Sequence, residues 1–260
     1  SMDQNVFWYS LSQLSIDKMG CWASDIEYST DGIEFNLHAK FAEYTSSEVV
    51  NVQLIGAFNV ANILASITAL LAQGFSFTEL TKAIGQLKSV PGRMELFETN
   101  KASFLVDYAH TPDALQQALL AARVHTKGKL SCIFGCGGDR DTGKRAMMGE
   151  VASRHSDLIV LTQDNSRSEE PLNIIADIKS GIPLQLSSQI AVELDREKAI
   201  NHAWQNSHKS DMILVAGKGA EDYIEINGKR IPYNERQIVA DLASRSLVLN
   251  DIIHTKGGEQ

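Results

Sequence analysis

Leu130-Ser131-Cys132-Ile133-Phe134-Gly135-Cys136-Gly137-Gly138-Asp139-Arg140-Asp141-Thr142-Gly143-Lys144-Arg145 is the stretch that decides the fold. Five residues of mainly apolar character read as a short buried strand, the glycines that follow as a tight turn, and the stretch from about Lys144 to Arg154 as a helix. The same rhythm extends in both directions. Upstream, Phe104-Leu105-Val106-Asp107 is a strand and Pro112 to Val124 a helix. Downstream, Leu158 to Thr162 is a strand, and Pro171 to Lys179 is helical. Arg196 to Ser207 is helical in turn, and Met212 to Ala216 is a strand ending in Gly217-Lys218-Gly219. Short apolar strands alternating with helices predict a mainly parallel sheet covered on both faces. Ligands of such folds sit beyond the carboxyl ends of the strands, where every unusual cluster of this sequence falls.

The first ninety residues read differently. Ile33 to Phe41 alternates as a strand after Thr30-Asp31-Gly32, and Val49 to Ile55 is a second strand ending at Gly56. From Asn59 to Leu71 the spacing is helical, with Asn59 placed as its N-cap. Gly74 ends that helix, another runs from Thr78 to about Leu87, and Pro91-Gly92 breaks the chain. The expected organisation is a first domain over 1–90, a second over 91–248 and an unpatterned tail over 249–260.

Composition excludes several classes. The 260 residues are 43% hydrophobic and carry a formal net charge of −8. That is a globular composition with no global attraction for nucleic acid or anionic membranes. Cys21, Cys132 and Cys136 are an odd set without a His or Cys pair at zinc-ligand spacing, so they read as buried thiols of a reducing compartment. The longest apolar run, Val60 to Ala72, is interrupted by Asn62, Ser66 and Thr68 and is too short to span a bilayer. The expectation is a cytoplasmic protein with no membrane insertion and no metal site of its own; its oligomeric state stays open.

Three clusters carry candidate chemistry. Gly135 to Arg145 nearly fits two phosphate motifs. A dinucleotide fingerprint fails at Arg140, where a third glycine is needed. A P-loop fails at Arg145, which replaces the hydroxyl residue that holds Mg²⁺. Glycines there still let backbone approach a ligand, and Arg140 brings a planar fork for carboxylate or phosphate; the plainer alternative is a turn with Arg140 in an internal ion pair. Asp164-Asn165-Ser166-Arg167 gathers an acid, an amide and a guanidinium after a strand, which suits a zwitterion but is also ordinary turn chemistry. Ala216-Gly217-Lys218-Gly219-Ala220-Glu221 adds Glu221 as a second acceptor for an ammonium. Together the strand ends suggest one pocket for a small ligand carrying both signs. Gly92-Arg93-Met94-Glu95 puts an arginine at the domain boundary, and Asp107 and His110 lie beyond a strand, His110 alone reading as a hydrogen-bonded loop residue.

Taken in order and spacing, Gly56-Ala57-Phe58-Asn59-Val60-Ala61-Asn62, Gly92-Arg93-Met94-Glu95, Asp107-Tyr108-Ala109-His110-Thr111-Pro112-Asp113, Phe134 to Asp141, Asp164 to Arg167 and Ala216 to Gly219 resemble the Mur ligases. The likeness runs to about residue 245. It implies a Rossmann-like C-terminal domain preceded by the strand-and-helix end of the family's central ATP-binding domain. It also implies an ATP-dependent ligase of peptidoglycan synthesis, in which ATP and Mg²⁺ phosphorylate the D-glutamate carboxylate of UDP-MurNAc-L-Ala-D-Glu and an amino acid's amine attacks the acyl phosphate. By resemblance, Asn59, Asn62, Arg93, Asp107 and His110 are ATP contacts. Arg140, Asp164, Asn165, Ser166, Arg167, Gly217 and Glu221 form the amino-acid pocket; the catalytic residues are not identified. The D-N-x-R pattern resembles the members that add meso-diaminopimelate, whose far carboxylate an arginine rewards where lysine has none.

Two residues depart from the family's pattern: Ser166 stands for a proline and Ala220 for a histidine. The sequence also has no G-T-x-G-K-T loop and no UDP-sugar domain, so it reads as a fragment that holds the amino-acid pocket and part of the ATP site without turning over ATP. Competing readings are a lysine-adding relative, a folylpolyglutamate synthetase, a non-catalytic amino-acid-binding module and, weakened by Arg140, a Rossmann dehydrogenase.

Overall fold

The computed structural model describes residues 6–15, 17–42 and 44–256, with side chains through residue 245. The chain divides after Lys88 into two compact units.

In the first unit, β1 (Phe7–Ser10), β2 (Met19–Ser29), β3 (Gly32–Phe41) and β4 (Tyr44–Val52) form a sheet in that order, β1 parallel to β2 and the others antiparallel. Alternation in β3 sends Ile33, Phe35, Leu37 and Ala39 into the core, where they meet Cys21 and Ala23 of β2 and Val60, Ile63, Leu64 and Ile67 of α1 (Phe58–Ala72). A second helix, α2 (Phe77–Ile84), closes the same core with Leu80 and Ile84. The strand expected from Val49 begins earlier, at Tyr44, and ends at Val52. Asn59 is not the cap of α1. The cap position is Ala57, and the Asn59 amide donates backwards to the Ile55 carbonyl (2.9 Å) from inside the first turn. The helix starts early because Gly56 already accepts the Asn59 N–H (3.0 Å). Strand β2 went unread in the sequence because its alternation breaks at a bulge between Ser24 and Glu27, where Asp25 takes a φ of 50°.

The second unit holds a six-stranded sheet. Its strands are β5 (Glu95–Glu98), β6 (Ala102–Asp107), β7 (Leu130–Phe134), β8 (Leu158–Leu161), β9 (Ile190–Val192) and β10 (Asp211–Ala216), in the order β5-β6-β10-β7-β8-β9. All neighbours are parallel except β5, which pairs antiparallel with β6 at the edge. The connecting helices are α3 (Pro112–His125), α4 (Gly143–His155), α5 (Pro171–Ser180), α6 (Arg196–Gln205) and α7 (Glu235–Lys256). Phe104, Val106, Ile133, Val160, Ile213 and Val215 point to the face covered by α6 and α7. The residues between them point to the other face, which α3 and α4 cover. The predicted α/β class with helices on both faces is what the chain adopts. A hairpin of β11 (Tyr223–Ile226) and β12 (Lys229–Pro232) precedes α7. The stretch from 249, expected as a tail, continues α7 to Lys256, since no glycine or proline interrupts it before Gly257.

Helices α4 and α5 pack closely at two glycines. A Cβ on Gly149 would meet the Ile178 carbonyl, and one on Gly181 would meet that of Ala146. Gly→Ala inside a helix ordinarily stabilises by about 1 kcal/mol. Here Gly149→Ala is expected to lower the unfolding free energy by about 1–3 kcal/mol, because backbone cannot yield; denaturant unfolding that shows a gain would contradict this packing.

Candidate functional site

Four adjacent parallel strands, β6, β10, β7 and β8, end in the loops that the sequence singled out. Between these loops lies a cleft of about 440 Å³, walled by Tyr108, His110, Gly137, Arg140, Asp141, Lys144, Asp164, Asn165, Arg167, Gly217, Glu221 and Tyr223.

At its base the Lys218 side chain is fully buried. Its Nζ lies 3.3 Å from Asp164 Oδ1 and from Glu221 Oε2, and donates to Asn165 Oδ1 at 3.1 Å. Asn165 is held from both sides of its amide: its Nδ2 donates to Glu221 (3.2 Å) and its Oδ1 also accepts the Glu225 N–H (2.8 Å). Burial alone would raise the Asp164 carboxyl, but the charges of Lys218 and Arg196 and the Asn165 N–H outweigh it and hold it below the ordinary carboxylate range. Lys218 thus gathers two carboxylates, Asp164 and Glu221, that also line the cleft.

The opposite character comes from Arg167 and Arg140. Arg167 takes a φ of 50° and is clasped by the hairpin: its N–H donates to the Glu225 carbonyl (3.0 Å) and its carbonyl accepts from Asn227 N (2.7 Å). Its Nη1 donates to the Gly138 carbonyl (2.7 Å) and its Nε lies 3.4 Å from Glu225 Oε2. Arg167 is among the residues that line the cleft. Arg140 is exposed on the same wall.

Arg145 explains why no P-loop forms. Its guanidinium is buried, donating to both oxygens of Glu169 (2.7 and 2.9 Å), to Asp177 (2.9 Å) and to the Gly137 carbonyl (3.3 Å). Glu169 also accepts the Asp139 N–H (2.6 Å). Arg145 thus fastens the glycine loop from below instead of offering a hydroxyl above it.

Of the expected pocket residues, Arg140, Asp164, Asn165, Arg167, Gly217 and Glu221 meet at the cleft. Ser166 does not. It is buried with its Oγ accepting from Gln163 Nε2 (3.1 Å), because the left-handed turn at Arg167 carries the neighbouring side chain away from the wall. Arg93 stacks over the Tyr108 ring (4.4 Å), and both Asp107 oxygens are taken by backbone N–H groups of Met94 (2.9 Å) and Ala109 (2.8 Å). Neither lines the cleft, whereas His110 does, with Nδ1 2.9 Å from the Tyr108 carbonyl. Asn59 and Asn62 belong to the first unit, where they edge a separate apolar groove of about 260 Å³. The sequence reading missed Lys218, Tyr108, Lys144, Tyr223 and Glu225; Lys218 stood inside a quoted motif, but only burial reveals its part. Among the described residues no three His, Cys, Asp or Glu side chains gather as a metal-ligand set, so Mg²⁺ has no such set in these residues. No helix among them is long and apolar enough to cross a membrane.

A polar cleft at the carboxyl ends of a parallel sheet, lined by both acids and guanidiniums, is the arrangement of an α/β domain with its candidate site beyond the strand ends. Residues 92–219 match the family described as Mur ligase, glutamate ligase domain, and through this domain the chain belongs to the Mur ligases. The chain is 44% identical over 243 residues to the UDP-N-acetylmuramoyl-L-alanyl-D-glutamate–2,6-diaminopimelate ligase of Vibrio parahaemolyticus, covering 93% of this chain and 48% of that protein. Against the enzyme of the same name from Vibrio vulnificus it is 45% identical over 222 residues, covering 85% and 44%. A solved structure of a ligase of that name superposes with a TM-score of 0.75 at 37% identity, covering 91% of this chain and 47% of that one. The chain spans about half the length of the curated relatives it matches.

Lys218→Met would leave two acids without their buried cation, and is expected to cost about 3–5 kcal/mol at pH 7. Since Asp164 is depressed in the folded state, the stability it contributes is present above about pH 4 and lost as pH falls through its folded value. Urea unfolding at pH 7 and pH 3 should therefore show a smaller acid loss in the variant than in the wild type. Equal acid losses would mean that Lys218 does not hold Asp164 ionised.

Proposed function

We propose that this chain carries the amino-acid pocket and part of the ATP site of a cytoplasmic, ATP-dependent ligase that joins meso-diaminopimelate to UDP-MurNAc-L-Ala-D-Glu in peptidoglycan synthesis. The observation that carries the reading is the pairing of charges in the cleft lining: Asp164 and Glu221 gather around Lys218, and Arg140 and Arg167 both stand beside Gly137. An amino acid with ammonium and carboxylate groups at both ends matches that pairing.

A carboxylate is a poor electrophile, so ligation needs a leaving group on its carbon. ATP supplies it by transferring its γ-phosphoryl group to the D-glutamate carboxylate, with release of ADP. The amine then attacks the carbonyl carbon, the C–N bond forms, the C–O bond to phosphate breaks and the nitrogen gives up a proton. For this chain's residues the task is placement. Asp164 and Glu221 take an ammonium of the incoming amino acid, and Arg140 and Arg167 grip carboxylates. Arg167 favours diaminopimelate, because lysine has no far carboxylate for the guanidinium donors that Glu225 leaves unused.

For ATP, Asn59 and Asn62 suit an adenine: the groove they edge has apolar walls for the base's faces and amides for its polar rim. Arg93, exposed over Tyr108, is free to meet phosphate. His110 is a second contact at the cleft, and Asp107 supports the site by bracing the Met94 and Ala109 backbone.

Calorimetric titration with meso-diaminopimelate and with L-lysine tests the assignment. Diaminopimelate is expected to bind and lysine to bind at least tenfold more weakly. Arg167→Ala is expected to weaken diaminopimelate by about 10–100-fold while leaving lysine unchanged. Equal affinities in the wild type would remove the specificity argument. With no G-K-T loop in the sequence, the purified chain is expected to release no phosphate from ATP in a steady-state assay; turnover that copurifies with the chain through successive columns would overturn that expectation.

A further inference from the structure

Behind the cleft lies a second ionic pair that the reading above does not use. Arg196, on the first turn of α6, and Glu235, on the first turn of α7, both have side chains with no exposed surface, and Arg196 Nε donates to Glu235 Oε2 at 2.7 Å. Arg196 Nη2 donates to the Ala216 carbonyl (2.7 Å), the last residue of β10 before Gly217. A Cβ placed on Gly217 would stand 2.8 Å from Asp164 Oδ2 and 3.8 Å from Arg196 Nη2, so guanidinium and carboxylate flank the same glycine.

As a stability device this arrangement is poor. Arg196 Nη1, Glu235 Oε1 and Tyr233 Oη are buried without hydrogen-bond partners among the described residues, and a buried ion pair often gives way to apolar side chains at no loss of stability. Its position points to another use. We propose that Arg196, oriented by Glu235, is a positioning residue for the amino-acid cleft, holding the Ala216–Gly217 turn and supplying the positive charge behind Asp164. The proposal rests on the amino-acid reading only for what the cleft binds; the link from Arg196 to Asp164 stands by itself.

The charged and titratable groups around Asp164 come from four elements. Lys218 and Glu221 follow β10, Arg196 belongs to α6, Glu235 opens α7, and Cys136 sits in the glycine loop after β7. Burial pushes Glu235 above the ordinary carboxylate range despite Arg196, and pushes the Cys136 thiol up to about 12, so Cys136 adds no charge near neutrality. Lys218 and Arg196 remain the cations that keep Asp164 an anion.

The test separates loss of the Arg196 charge from loss of its partner. In Arg196→Met/Glu235→Leu the pair becomes apolar, and thermal unfolding should show a folded protein. Its Asp164 carboxyl, followed by ¹³C NMR, should titrate at higher pH than in the wild type. Affinity for meso-diaminopimelate should fall most at acid pH, where Asp164 is protonated in the variant before it is in the wild type, and least at pH 8, where it is ionised in both proteins. Glu235→Gln keeps an oxygen for Arg196 Nε and leaves the guanidinium charge in place; Glu235, pushed up by burial, is already neutral where Asp164 titrates, so Asp164 should titrate as in the wild type. A purely structural pair would move Asp164 in neither variant. Unchanged Asp164 titration in the folded double variant would overturn the proposal; should it not fold, Arg196→Gln and Arg196→Lys decide it, Asp164 rising only where the charge is lost. If wild-type protein fails to bind diaminopimelate, the amino-acid reading falls, while the Asp164 titrations still judge Arg196.

Discussion

A single buried ammonium organises the site. Lys218 has no contact with solvent, and such a cation survives folding only if its lost hydration is replaced by fixed acceptors. Asp164, Asn165 and Glu221 provide them, and they come from two loops at the ends of two strands that are not neighbours in the sheet. Satisfying Lys218 therefore fixes the D-N-S-R loop against the A-G-K-G loop. It also fixes Asn165 so fully that its remaining bonds, to Glu221 and to the Glu225 N–H, dock the β11–β12 hairpin. The recognition surface is the outer side of this knot.

The glycine loop is tied by different chemistry to the same neighbour. Arg145 reaches from α4 to Glu169 and Asp177, and Glu169 reaches back to the Asp139 N–H. Gly138 contributes its N–H to the Asn165 carbonyl (2.9 Å) and its own carbonyl to Arg167. A Cβ on Gly138 would run into the Ser166 backbone, so the close approach of these loops needs glycine. Arg140 and Arg167 are consequently held on one wall by contacts that neither residue makes alone.

How much of this could be read beforehand follows from the range of the interactions. The strands and helices of the second unit were legible because each is a short apolar run punctuated by glycine, proline or a capping residue. Thr111 before Pro112 is one such signal, and its hydroxyl does accept the Ala114 N–H (3.3 Å). The edge strands β5 and β9, the β11–β12 hairpin, β1 and β2 were missed because their pairing partners, not their own patterns, define them, and α7 went unread as well. Most cleft residues were legible as charged groups at strand ends. What their spacing could not convey was orientation: Ser166 reads like its neighbours and faces inward, and Asp107 reads like a ligand contact and braces backbone.

The same limit accounts for Lys218 and Arg145. Both sit in motifs whose glycines invite a phosphate-binding reading, in which a lysine or arginine is a ligand contact. Yet each is among the most buried side chains of the chain, and each spends its hydrogen bonds on carboxylates and carbonyls of the protein. A cation so engaged cannot also serve a ligand without exposing the acids it neutralises. In the proposed pocket, recognition of anions therefore falls to the exposed Arg140 and the partly exposed Arg167, while the buried cations set where the acids stand.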